Sequence, residues 1–160
     1  MGLFSKNKVI PDNEFADHLL RSIMTLVSQS ASSLRREEPF SKVEAGRISF
    51  ELATLAFWDL NLLGYPFDLW QSVLNRFFET NQLDRDSVLK IMEERSKSYF
   101  EAWGDGKSSK SLMMLTAAVA RNISEELVCD IGAWILIAPF FSSVDGMNVK
   151  NLTLIMGRPS

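Results

Sequence analysis

The sequence holds one cysteine and one histidine in 160 residues, and that scarcity removes most site chemistry at once. A single Cys129 closes no internal disulfide. It sits among Glu125, Glu126 and Asp130, a setting that does not suit a nucleophile, and is expected to be a small half-buried hydrophobe. Serine and cysteine nucleophilic systems would both need His18, and no activated nucleophile stands near it. A surface histidine, with Glu14 one turn earlier, is the plainer reading. Di-iron carboxylate bundles require two Glu-x-x-His pairs, and the chain cannot supply them.

Charge of one sign is also missing. Seventeen basic residues against twenty acidic ones give a net charge of -3, which leaves no positive excess for a phosphate backbone. Long apolar runs are absent too. The longest, Ile131 to Phe141, has eleven residues, whereas a membrane-spanning helix needs about twenty. No transmembrane segment is expected. The five prolines and eight glycines are too few for collagen-like or low-complexity chains. Neither glycine-rich nucleotide motif occurs, and Gly104-Asp105-Gly106-Lys107-Ser108 lacks the strand that a phosphate loop follows.

The first eleven residues contain no apolar run of signal-peptide length. Gly2 lacks the serine or threonine that a myristoylation motif wants at position six, where Lys6 stands. A flexible tail over 1–11, a single helical domain over 12–160 and a cytoplasmic location are therefore expected. The glycosylation strings at Asn122 and Asn151 carry no weight in that setting.

What is present is helical periodicity. Phe15, Leu19, Ile23, Leu26 and Val27 recur at three- and four-residue steps after Asp12 and Asn13, either of which can cap a first helix. A charged linker over 34–40 follows. Ser41-Lys42-Val43-Glu44 is a capping box, and Gly64 with Pro66 ends the helix it starts. Ile48, Leu52, Leu55, Ala56 and Leu62, with Phe50, Phe57 and Trp58, make that helix apolar almost all round. Such a helix is central in a bundle or half of an interface. Further helices are expected from Phe67 to Thr80 and from Asp84 or Asp86 to Trp103. The stretch from Lys110 to Ala138 divides at Ser124. Pro139 is expected to end the last helix, leaving Leu152 to Met156 as a short strand or docked turn. The fold class is all-α, an irregular antiparallel bundle of five or six helices.

Paired acids for magnesium would sit at Glu44 and Glu51 or at Glu93 and Glu94, but Glu-x-x-Glu spacing fails in both places. Arg47 with Glu51, and Arg121 with Glu125, instead read as ordinary i,i+4 ion pairs. No cofactor or metal is implied. A helix-turn-helix around Asn81-Gln82-Leu83 would present four bases cancelled by four acids, so no nucleic-acid partner is expected.

Two acids sit in apolar surroundings, Asp59 and Asp130. An ionised carboxylate in a core must be paired or hydrogen-bonded, and Arg76, Arg95 or Arg121 could serve Asp59. Alternatively, either acid is the polar handle of an apolar pocket lined by Trp58, Trp70 and Met113 or Met114, with Trp134 completing the candidate ligand-binding set. Eight aromatics between Phe50 and Phe78 exceed what one packed face hides. The expected function is a non-catalytic interaction module that self-associates as a homodimer or binds a protein partner, using surplus apolar surface from helices two and three or the Trp134 segment. The alternative is a bundle holding a small apolar or amphipathic ligand in an internal pocket.

Overall fold

The computed structural model describes residues 12–33 and 42–156, and among them every regular element is helical. In chain order these are α1 (Asp12–Ser33), α2 (Lys42–Leu62), α3 (Phe67–Asn81), α4 (Arg85–Trp103), α5 (Ser109–Ile123), a 3-10 turn (Glu125–Cys129) and α6 (Ile131–Met156). The expected tail over 1–11, the linker, Ser41 and the side chains of Asp12, Asn13 and Glu44 lie outside the described residues.

α2 is the axis of the bundle. It packs against each of the other five helices, and every residue from Glu51 to Leu60 is buried. A helix surrounded on all sides has no solvent face to offer, which explains why that stretch is apolar apart from Glu51, Thr54 and Asp59. Most of the aromatic surplus is spent here. Phe57, Trp58, Tyr65, Phe77 and Phe78 are buried, and only Phe67 of the eight stands fully out, at 65% exposure. Helices α2 and α3 therefore use their aromatics chiefly as core.

The helix ends follow local chemistry. Past α2, Gly64 takes a left-handed φ of 78°, and Tyr65 donates its amide to the Leu60 carbonyl at 3.0 Å. This is the closure that glycine permits after a helix. Asp84 caps α4 by accepting from the Ser87 amide, and Ser108 caps α5 through the Ser111 amide. The division at Ser124 is present, and the 3-10 turn fills it.

α6 departs from expectation. Pro139 does not end it; the helix runs on to Met156, so Leu152 to Met156 are helical instead of forming a strand or turn. A proline inside a helix costs about 3 kcal/mol. Against that, Ile137, Phe140, Phe141 and Val144 are buried at helical spacing, and each such side chain contributes roughly 1.5–3 kcal/mol. Burial wins. Even at 26 residues, α6 is not long and apolar enough to cross a membrane, nor is any other described helix.

Candidate functional site

The six residues singled out in the sequence do not converge on one pocket. Trp58 and Trp70 do meet, in a cleft of about 190 Å³ between α2, α3 and α4 whose walls include Phe57, Leu74, Met92 and Glu93. Trp70 donates its indole N–H to the Phe57 carbonyl at 3.3 Å. Trp58 is 3% exposed, ringed by Tyr99, Phe100, Trp103 and Phe141 at centroid distances of 5.3–6.3 Å. Its own indole N–H is buried without an acceptor. Met113 and Met114 are not part of the cleft; they face outward on α5, Met113 at 57% exposure.

Asp59 lies elsewhere, fully buried where α2 meets α6. None of the three arginines expected to serve it does so. Arg76 pairs with Asp17 at 2.9 Å, Arg95 pairs with Glu51, and Arg121 is exposed. Instead the Asn148 amide donates to Asp59 Oδ2 at 2.9 Å, while Oδ1 receives no donor. Asp145, one turn before Asn148, brings its carboxyl within hydrogen-bonding reach. Burial pushes the Asp59 carboxyl up to about 8, with Asp145 adding to the rise. Tyr65 donates its hydroxyl to the Asn148 carbonyl, and burial with the neighbouring Asp59 raises its phenol above the usual range.

Local signals do not point to this cluster, because Asp145 and Asn148 lie beyond Pro139, where the last helix is expected to end. Continuing the helical count past Pro139 would have revealed it. Val144, Asn148 and Asn151 extend the buried stripe of Ile137 and Phe141 at three- and four-residue steps.

A second polar node joins α2 to α4. Arg95 Nε contacts both oxygens of buried Glu51 at 3.0 and 3.2 Å, and the Tyr99 hydroxyl donates to Oε2 at 3.0 Å. This replaces the expected Arg47–Glu51 pair: a buried carboxylate takes the cation that reaches it across the helix packing, whereas Arg47 stays exposed. The Arg121–Glu125 spacing also fails, because α5 ends between them.

Asp130 is an N-cap. Its Oδ1 accepts from the amides of Gly132 at 2.7 Å and Ala133 at 3.3 Å, so it opens α6 instead of serving a pocket. Trp134, half-buried, donates to the Val128 carbonyl at 2.7 Å and ties that first turn to the 3-10 turn before it. Around them α6 is open. Ile131 and Ile135, on successive turns, are 75% and 66% exposed. Ile135 edges a groove of about 350 Å³ between α1 and α6, floored by Leu26, Leu136, Pro139 and Phe140.

Cys129 is exposed, not half-buried, because the 3-10 turn carries it to the surface. Among the described residues no group of three histidine, cysteine, aspartate or glutamate side chains could hold a metal ion. No family model, curated protein or solved structure matches this chain.

Proposed function

We propose that this chain is a non-catalytic interaction module that pairs with a second copy of itself through the face shared by α1 and the first turns of α6. One observation carries the reading: Ile131 and Ile135 stand exposed beside a groove of mostly apolar surface, with Gln29, Ser30 and Ser143 among its uncharged lining. Leaving two adjacent large aliphatic side chains in water forgoes roughly 1.5–3 kcal/mol each, which contact with another surface recovers.

A second copy suits this face because the same patch offers both a projection and a recess. In a two-fold contact, Ile135 of each protomer enters the groove of the other. Among the described residues the groove lining carries no charged side chain, so two chains of net charge -3 meet there without repulsion from that lining. Sedimentation equilibrium with reductant present, at high micromolar concentration, tests it. The wild type should sediment as a dimer, and Ile135→Glu as a folded monomer with unchanged helical circular dichroism. A wild type that stays monomeric overturns the reading.

The mostly apolar walls of the α2–α3–α4 cleft, with Phe57, Trp70, Leu74 and Met92 among them, favour a second role as a seat for a small flat ligand. At about 190 Å³ it is below the roughly 300–1,000 Å³ of drug-sized sites, which restricts it to fragment-sized molecules. Titrating indole and benzamide against tryptophan fluorescence tests this. Saturable quenching that Trp70→Ala abolishes supports it, and linear quenching counts against it.

A further inference from the structure

We propose that one proton, shared between Asp59 and Asp145, fastens the C-terminal half of α6 to α2, and that the contact loosens when this proton leaves. The argument begins with a missing donor. Asp59 is fully buried, and the Asn148 amide satisfies only Oδ2. Oδ1 has no donor, and the Asp145 carboxyl stands within hydrogen-bonding reach of the Asp59 carboxyl. Two ionised carboxylates have only acceptors to offer each other. A proton on either turns the pair into donor and acceptor and satisfies the orphaned oxygen.

Among the described residues, the ionisable groups nearby are committed elsewhere or exposed. The Tyr65 hydroxyl, from the turn after α2, is committed to the Asn148 backbone. Of the ionisable groups on the elements around α2, Arg95 and Tyr99 of α4 are held by Glu51, and Arg76 of α3 by Asp17 of α1. Glu14 and His18 on α1, and Lys110 and Arg121 on α5, are exposed. Arg21 on α1 and Lys150 further along α6 are exposed as well, so among the described residues no base is placed against the two acids.

The direction of the linkage follows. Burial and Asp145 lift the folded carboxyl to about 8, from 3.8 in the unfolded chain. The folded state thus holds a proton that the unfolded state has released, and stability falls as pH rises between those values. Above the folded value no further loss comes from this site. One linked proton changes the folding equilibrium constant by about tenfold per pH unit inside the window.

Urea unfolding of the full chain at intervals from pH 5 to 8 reads this slope. In Asp59→Asn the amide stands in for the protonated acid, keeping Oδ1 for Asn148 and offering its N–H to Asp145. The wild type should lose stability across the window about tenfold per unit more steeply than this variant. Asp145→Asn supplies the donor from the other side and should flatten the slope as well, which keeps the test open if the first variant folds poorly. A carbon-13 carboxyl resonance titrating near pH 8 in the wild type, and lost in Asp59→Asn, gives the direct reading. Parallel slopes in all three proteins, with no such resonance, overturn the proposal.

Discussion

Arg95 on α4 reaches across the helix packing to Glu51 on α2, placing Nε 3.0 Å from one carboxylate oxygen and 3.2 Å from the other. Glu51 is 3% exposed, so its charge depends on that guanidinium and on the Tyr99 hydroxyl. Removing one partner of a buried pair strands the other charge, at a cost of about 3–5 kcal/mol. Because Arg95 is partly open to solvent, Arg95→Met should fall at the low end, about 3 kcal/mol by urea denaturation. Glu51→Gln, which keeps a hydrogen-bonding side chain, should cost less.

The loop between α4 and α5 makes a sharper steric demand. Gly106 has a φ of 69°, and a Cβ built there would lie 2.3 Å from the Trp103 indole nitrogen. Gly106→Ala should therefore destabilise by at least about 1 kcal/mol through the left-handed backbone alone, with the clash adding to it. Thermal unfolding should show a clear drop. A change at Gly104, which meets no neighbour within 4 Å, should show only the backbone part.

Asp130 should behave as a cap and not as a ligand handle. Asp130→Ala is expected to cost about 1 kcal/mol, while Asp130→Asn, which can still accept from Gly132 and Ala133, should be nearly neutral. Chemical denaturation at pH 7 distinguishes the two. A large loss in the asparagine variant would mean that the charge itself matters there.

Asp84 has the opposite pH sign to Asp59. Hydrogen bonds from the Ser87 side chain and amide hold its carboxyl below the usual aspartate range. Its support for α4 is present above the ordinary unfolded value and is lost as pH falls through the lowered folded one. The stability of Asp84→Asn should therefore fall less on acidification than that of the wild type, measured from pH 5 down to pH 2.

Cys129 should react in the native state. Its thiol is exposed on the 3-10 turn, so a chromogenic disulfide reagent is expected to modify one equivalent without denaturant. Slow labelling that needs urea would place the thiol inside.

The local pattern of residues was enough to determine most helix limits. Gly64 with Pro66, Asp84, Ser108 and Ser124 act through their own backbone geometry and side-chain caps, which operate within a turn or two. The all-round apolar character of α2 likewise placed it at the centre, because a helix with no polar face must be covered. Trp58 and Trp70 met because α2 and α3 are joined by a short turn. Met113 did not join them, since nothing in its local sequence tells which side of α5 faces the bundle.

The remaining decisions were tertiary. Pro139 reads locally as a stop, and only the burial of Ile137, Phe140, Phe141 and Val144 against the bundle outweighs it. That continuation carries Asp145 and Asn148 to Asp59, more than eighty residues away in sequence, where periodicity has no reach. It is also packing, not composition, that hides the aromatics of α2 and α3 and leaves Ile131 and Ile135 in solvent. One cysteine, one histidine and balanced charge narrowed the chemistry from the sequence alone. Which acid meets which partner, and which apolar face stays open, depended on long-range contacts that only the assembled helices provide.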